Sequence, residues 1–437
     1  MPQPKGVSAA KTKKVQRRRR RRRKWRLKEQ QRHAGLRHRA VERALEDLGV
    51  DQILARSLRP KLRSMHRLMG KVFGLMFPVF FGCQSYQELC RVQGWDKNLP
   101  GRALGALPKR KWVAKLRRIS QDLLESLRRR VESMSEATRS RWQWTFLVDS
   151  TVFRKFGSGF SLVKPSYSNQ DKRIAPGIDG VLLAVVVGDG KLIVPLDFEI
   201  RRPHPPGAGH PCRTKLEWTE AMLQRNLGEF ERRGLQLNSP VVVADSWFAD
   251  SHLMQWLKDS WGGTLLVETK SSFIFEREDG TVVSAKELTG TLAETLGFRS
   301  STLLPSEVRY VRMHAQSPTF GNVTLTVVSE PGEELYCLMC LTTSISSPRL
   351  WRVYSRRNWV EWCFRSLKSL LAAGKCQFVS EDAYYGHLIM RLLGLLVISY
   401  TSRRVLRGRV TMEQIIFSHK HHWRTLDSNL IETQILS

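Results

Sequence analysis

Trp144–Ser150 reads WTFLVDS: β-branched and aromatic residues that favour a strand, closed by the carboxylate of Asp149. A carboxylate where a strand ends stands where chemistry can reach it. Downstream, VLLAVVV (Val181–Val187) and KLIVPLDFEI (Lys191–Ile200) flank Gly188-Asp189-Gly190, and an Asp-Gly pair between two apolar runs is a strong hairpin signal. A helix is expected over roughly Lys215–Arg233. PVVVA (Pro240–Ala244) follows, a short continuous apolar run of the kind that forms a buried strand, and it ends on Asp245. A further helix over Ser251–Ser260 and the strand TLLVETK (Thr264–Lys270) complete the unit.

Strand, hairpin strand, strand, helix, strand, helix, strand is the element order of the RNase H-like fold, with carboxylates closing the first and fourth strands. The expected fold class is therefore α/β: an RNase H-like catalytic core, a mixed sheet with helices, carrying a β-rich insertion and an N-terminal helical domain. In that fold the first and fourth strands are neighbours, so Asp149 and Asp245 should lie side by side. Residues 269–344 return to β-like patterning and read as the insertion. The core then resumes over 345–405 with a helix that begins near Trp351.

That helix contains Tyr354–Lys368, YSRRNWVEWCFRSLK, in which Glu361 is the one acidic residue. At about 100° per residue, Tyr354, Glu361 and Lys368 return to one line along a helix, with Arg357 one turn before Glu361. A purely structural helix would carry an apolar stripe there, so the polar stripe is either a solvated surface or a site for an anion and a metal. Attack on a phosphodiester needs an activated oxygen and a stabilised leaving oxygen, which two divalent cations provide. Hard Mg²⁺ prefers carboxylate oxygens. Asp149, Asp245 and Glu361 are the right residue types, and Arg357 can act as a bidentate phosphate donor.

The spacing Tyr354, Arg357, Glu361, Lys368 is the Y-R-E-K signature, and the chain resembles the DDE transposases of bacterial insertion sequences, specifically insertion-sequence family four and its relatives. Asp149-Ser150-Thr151 resembles the first catalytic aspartate motif and Asp245-Ser246-Trp247-Phe248 the second, the latter without the fuller acidic version of some members. The resemblance implies Asp149, Asp245 and Glu361 as catalytic ligands of two Mg²⁺ or Mn²⁺ ions, and Tyr354, Arg357 and Lys368 as contacts to the DNA end. It also implies cleavage at element ends, strand transfer into target DNA, and a homodimer in the synaptic complex. Relatives flip a base onto an aromatic of the insertion; Trp261, Phe273, Phe275 and Phe320 are available, with core packing as the alternative.

Composition points the same way. The chain of 437 residues carries a formal charge of +32, and so basic a protein is expected to meet a polyanion, most simply double-stranded DNA. Residues 1–40 hold seventeen Lys and Arg against Glu29 alone. They read as a disordered basic arm in which Arg17, Arg20 and Arg23 track phosphates. Residues 41–140 read as a helical DNA-binding domain, with Lys115, Arg117 and Arg118 as candidate contacts, and Arg356 and Arg365 join Arg357 beside Glu361. The segment 406–437 is read as a C-terminal tail.

The odd set of seven cysteines fits a reducing compartment. No apolar run reaches transmembrane length, since Leu388–Tyr400 is interrupted by Arg391, and no apolar segment follows the basic N-terminus. The expectation is a cytoplasmic, nucleoid-associated protein with no membrane partner. Two rival readings stand beside transposition: a structure-specific nuclease or resolvase of the same fold, and a domesticated, non-catalytic DNA-binding protein.

Overall fold

The structure, a computed structural model, describes residues 36–416 except 38, 59–67, 82, 133–134, 136–143, 156–159, 169–172, 189–191, 203–212, 236–238, 291–294, 296 and 342. It is a mixed α/β protein built on one large sheet. After helical residues 39–47 come α1 (Val50–Leu58), α2 (Leu68–Met76), α3 (Tyr86–Gln93), α4 (Leu99–Leu104) and the long α5 (Lys109–Glu132). The sheet opens with β1 (Trp144–Arg154), β2 (Lys164–Ser168), β3 (Arg173–Val187) and β4 (Leu192–Ile200). α6 (Lys215–Arg232), β5 (Val241–Ala244), α7 (Ser251–Trp261) and β6 (Thr264–Glu268) follow. Thr214 and Glu217 form a capping box at the start of α6, and Asp250 accepts the Leu253 N–H at the start of α7. Both satisfy backbone donors that a helix start leaves open.

β1 pairs antiparallel with β3 and parallel with β5, and β5 runs parallel to β6. Val241, Val242, Val243 and Ala244 are all buried, as expected of a strand covered on both faces. The segment expected as an insertion continues this same sheet. β7 (Ile274–Arg277), β8 (Val282–Ser284), α8 (Ala285–Thr289), β9 (Arg309–Ser317), β10 (Gly321–Ser329) and β11 (Tyr336–Leu341) lead back to the core. β11 pairs with β6 through Leu338–Glu268 and Met339–Val267. The sheet therefore reads β2-β3-β1-β5-β6-β11-β10-β9-β7-β8, with β4 on β3.

α9 (Ser347–Tyr354), α10 (Asn358–Arg365) and α11 (Glu381–Tyr400) follow, and residues 412–416 are again helical. α11 is buried from Ala383 to Tyr400. Contrary to the sequence expectation, Arg391 does not interrupt it. With its π-helical extension it runs Glu381–Val405, long and apolar enough to cross a membrane, yet its most apolar eighteen-residue stretch is wholly covered by the protein. The Arg391 guanidinium donates to the carbonyls of Met76 (2.7 Å) and Leu75 (3.2 Å) at the end of α2, where helical carbonyls lack partners. Gly386 lets α11 approach the other helices: a Cβ there would stand 2.6 Å from the Leu104 carbonyl and 2.8 Å from Trp112 Nε1, which are bonded to each other.

The helical segment is packed onto the sheet. α5 lies against β4 and α11, and Ser120 Oγ donates to the Pro195 carbonyl at 2.5 Å. Beneath it Asp197, fully buried on β4, accepts from Arg225 Nη2 (3.0 Å), Asn226 Nδ2 (3.1 Å) and its neighbour's Phe198 N–H (3.0 Å). Gln121 on α5 donates to Asn226 Oδ1 at 3.1 Å. One buried carboxylate thus ties strand β4 to α5 and α6.

Candidate active site

The parallel register of β1 on β5 ends with Val148 opposite Ala244, so the next residue on each chain segment is an aspartate. That register, not proximity in sequence, brings Asp149 and Asp245 together. One expectation needs correction: β1 does not end at Asp149 but continues to Arg154, still paired with β3. What ends there is the partner β5. Asp149 accepts the Ser150 N–H at 2.7 Å. Asp245 caps the 3₁₀ turn Ser246–Phe248 and accepts from Ser246 Oγ (2.9 Å) and the Trp247 N–H (3.1 Å).

Glu361 comes from α10, near its start, with about half of its side chain exposed. Arg357 joins it to the strands: Nη2 is 3.4 Å from Glu361 Oε1 and 3.6 Å from Asp245 Oδ2. Burial lifts the Asp149 carboxyl to about 6, the Ser150 N–H and Arg357 oppose that rise, and Asp245 and Glu361 add to it. Burial opposes the charge on Arg357, but Tyr354, Asp245, Glu361 and Asp149 together outweigh it and hold the guanidinium above its ordinary value. The three carboxylates therefore share one electrostatic field centred on Arg357. Its Nε is buried with no hydrogen-bond partner, a donor left over for an incoming acceptor.

Among the described residues, no group of three or more His, Cys, Asp or Glu is drawn together closely enough to hold a metal ion; the Arg357 guanidinium stands between Asp245 and Glu361. The donor set nevertheless suits a hard divalent cation, being all carboxylate oxygen. Two of its members are anchored on or beside adjacent strands.

The stripe expected along one helix is broken. α9 stops at Tyr354, Ser355–Arg357 form a 3₁₀ turn, α10 follows, and Ser366–Leu370 are π-helical. Two of the expected DNA contacts are consequently inside the protein. Tyr354 is buried and its hydroxyl donates to Glu268 Oε2 at 2.8 Å. Arg356 is 6% exposed and Nη1 donates to Thr145 Oγ1 at 2.6 Å, which pins the turn to β1. Arg365 is exposed, and Lys368 is half-buried with its ammonium 5.9 Å from the Phe153 ring centroid.

On α5 the three candidates also separate. Arg117 turns inward, its Nε 3.9 Å from Asp197 Oδ2. Arg118 is exposed and stands 3.9 Å from Asp122. Lys115 is half-buried, and burial, then Arg118 and Lys111, depress its ammonium. Arg17, Arg20 and Arg23 lie outside the described residues. Of the insertion aromatics, Phe275 is wholly in the core, and Phe273 and Phe320 pack on each other at 5.3 Å.

Two features were not legible in the sequence. Lys215 Nζ donates to Ser150 Oγ at 2.9 Å, one residue from Asp149. It also belongs to a ring of cations around Asp179, with Lys215 at 3.4 Å, Lys164 at 3.5 Å and Arg201 at 3.7 Å. The β2–β3–β4 pairing brings Lys164 and Arg201 to Asp179 and the start of α6 adds Lys215, and no motif spacing announces them. Trp247, two residues past Asp245, is 76% exposed, with Lys270 Nζ 4.7 Å from its ring centroid. Its place beside the aspartate was a signal; its exposure was not.

The buried position of Tyr354 has a measurable consequence. Tyr354→Phe should lower stability by about 1–2 kcal/mol, because Glu268 loses a donor in a half-buried setting, and should leave DNA affinity unchanged. Urea denaturation and a binding titration check this. A large loss of DNA affinity with unchanged stability would contradict it.

Comparison with known proteins bears on this arrangement. The profile of the family described as "Transposase DDE domain" matches residues 140–397. No curated protein matches the chain. Among solved structures, it is similar to a piggyBac transposase in a cryo-EM synaptic complex with hairpin DNA, at 10% identity and a TM-score of 0.34, covering 67% of this chain and 54% of that one. It is also similar to the NurA nuclease from Sulfolobus solfataricus, at 9% identity and a TM-score of 0.24, covering 54% of this chain and 82% of that one. The chain thus spans about half the length of the piggyBac chain. Likenesses this distant carry no weight beside the family match, which takes in more than half of the chain together with Asp149, Asp245, Arg357 and Glu361: the chain belongs to the DDE-domain transposases.

Proposed function

We propose that the protein cuts double-stranded DNA at the ends of its own element and joins those ends to target DNA, with Asp149, Asp245 and Glu361 as the catalytic carboxylates. The observation that carries this reading is the register of β1 on β5, which sets Asp149 beside Asp245, with Arg357 linking Asp245 to Glu361. The core is read as RNase H-like. The Tyr354, Arg357, Glu361, Lys368 spacing is read as that of insertion-sequence family four, with a homodimer assembling the synaptic complex in the bacterial cytoplasm.

Asp149, Asp245 and Glu361 would hold two Mg²⁺ or Mn²⁺ ions, which when bound supply activation of the attacking oxygen and stabilisation of the leaving one. The remaining chemistry belongs to the protein. Arg357 neutralises Asp245 and Glu361 in the free site and, once released, offers a planar donor fork to a non-bridging phosphate oxygen. Ser150 and the strand backbone hold Asp149 in place, and Asp245 is fixed by its own turn. Lys215, Lys164 and Arg201 add positive charge beside β1 that would guide the DNA backbone toward the carboxylates.

The test uses duplexes containing the DNA that flanks this reading frame, Mg²⁺ and a supercoiled plasmid target. Joined end–target products are expected, and they disappear with Asp245→Ala while end binding persists. Cleavage without joining would favour a nuclease or resolvase, and binding without cleavage a domesticated DNA-binding protein.

A further inference from the structure

The register that sets Asp149 beside Asp245 places a further carboxylate in the same row. β5 runs parallel to both β1 and β6, with Val148 opposite Ala244 and Ala244 opposite Val267. The next residues along the three segments are Asp149, Asp245 and Glu268. With strands about 4.8 Å apart, Glu268 stands one strand from Asp245, on the side away from Asp149. Its carboxylate is turned to the end of α9, where it accepts the Tyr354 hydroxyl at 2.8 Å.

Tyr354 stands between Glu268 and Arg357. Its ring packs against Tyr336 with centroids 6.1 Å apart, and Arg357 lies at the end of the 3₁₀ turn that follows it. Burial raises the Tyr354 phenol above its ordinary value, Arg357 opposes that rise, and Glu268 adds to it. A hydroxyl has one proton. Given to Glu268, it leaves the Tyr354 oxygen only lone pairs to offer the guanidinium. The direction of the chain is thereby set, Arg357 toward Tyr354 and Tyr354 toward Glu268. On its other side Arg357 Nη2 stops 3.4 Å from Glu361 Oε1 and 3.6 Å from Asp245 Oδ2, longer than the roughly 2.7–2.9 Å of a closed charge-assisted hydrogen bond. The guanidinium is held near both carboxylates without closing on either.

We propose that Glu268 is a positioning residue for the site: by fixing the Tyr354 hydroxyl as an acceptor it draws Arg357 back from Asp245 and Glu361 and keeps those carboxylates open to a divalent cation. The assignment rests on the reading of Asp149, Asp245 and Glu361 as metal-holding carboxylates. Without the link the guanidinium would close on Asp245 and Glu361, and an entering cation would have to displace a tighter ion pair.

The test is Mn²⁺ binding to the full chain without DNA, read from the electron paramagnetic resonance signal of free Mn²⁺. Glu268→Gln should weaken binding about tenfold, the low end of what partners outside the ligand set contribute. Tyr354→Phe cuts the same link while leaving the Glu268 charge in place, and should weaken binding to the same degree; it carries the test if Glu268→Gln does not fold. In an Arg357→Gln background neither change should alter Mn²⁺ affinity, because no guanidinium is left to hold back. A folded Glu268→Gln that binds Mn²⁺ like the wild type would overturn the proposal, as would Tyr354→Phe at wild-type affinity. Equal weakening by Glu268→Gln with and without Arg357 would also overturn it, since that is the plain loss of a nearby charge. If the wild type takes up no Mn²⁺, the reading of the site falls and this role with it; if the wild type binds and the Glu268 and Tyr354 variants match it, the positioning role alone falls.

Discussion

Asp149→Asn is expected to abolish DNA cleavage and, at the same time, to make the metal-free protein more stable. The second effect follows from the raised carboxyl of Asp149, at about 6 against an ordinary 3.8. Above pH 6 the folded protein holds a carboxylate in a half-buried setting that the unfolded chain leaves in water. A shift of this size corresponds to about 2–3 kcal/mol of destabilisation near pH 7.5. The sign is that of a folded value above the unfolded one: stability contributed by this group rises as pH falls through 6 and levels off below about 4. Asparagine keeps the acceptor for the Ser150 N–H without the charge. Denaturant melts at pH 7.5 should therefore show the variant ahead by about 2 kcal/mol, and the gap should close toward pH 4. Mn²⁺ should stabilise the wild type by binding the folded state alone and should stabilise the variant far less. Cleavage should fall by on the order of 10³-fold or more, since an electrostatic element of the reaction is gone. A variant less stable than wild type at pH 7.5 would mean that the carboxylate is a structural partner rather than a functional one.

Asp197→Ala should have the opposite character, a large loss of stability with no direct role in chemistry. Its carboxylate is fully buried, its affinity for a proton is raised by burial and lowered by Arg225 and Arg117, and it accepts from Arg225, Asn226 and the Phe198 N–H. Removing it takes away the acceptor that Arg225 and Asn226 share, and leaves Arg225 to Glu199 and the Asn226 amide to the Met222 carbonyl. Breaking a buried pair from one side costs about 3–5 kcal/mol. The network also joins α5 to α6 and β4, so the N-terminal helices should lose protection in hydrogen exchange together with the sheet. Asp197→Asn, which preserves shape and one acceptor, should recover part of the loss. Unfolding of the Ala variant at wild-type denaturant concentration would contradict the expected role of this carboxylate.

How much of this was legible in the sequence depended on whether local pattern or long-range register decided it. WTFLVDS, VLLAVVV and PVVVA were readable because apolar, β-branched runs flanked by turns have few alternatives; Asp149 and Asp245 stand out as carboxylates in or beside such runs, and Glu361 as the one acid of a basic, aromatic stretch. The true extent of β1 was not readable: its residues beyond Asp149 are paired with β3, and only the end of the shorter β5 makes Asp149 reachable. The helix around Glu361 misled for a related reason. Ideal periodicity aligned Tyr354 with Glu361, but the 3₁₀ turn at Ser355–Arg357 shifts the phase, so Tyr354 and Arg356 face the interior. Polar side chains at helical spacing do not reveal whether a buried acceptor such as Glu268 or Thr145 awaits them. Arg391 shows the same blindness, since the carbonyls that accommodate it lie on α2, far away in sequence. Lys164 and Arg201 gather at Asp179 through strand pairing, and Lys215 reaches it from the start of α6.

The most direct measurement of the central claim is Mn²⁺-dependent cleavage of duplex DNA carrying the flanking sequence of this reading frame, by the wild type and by Glu361→Gln at matched DNA occupancy. The wild type should cut at the element boundary, and Glu361→Gln should bind the duplex as well as the wild type yet leave it intact. Cleavage by Glu361→Gln at the wild-type rate would contradict the assignment of Asp149, Asp245 and Glu361 as the catalytic centre.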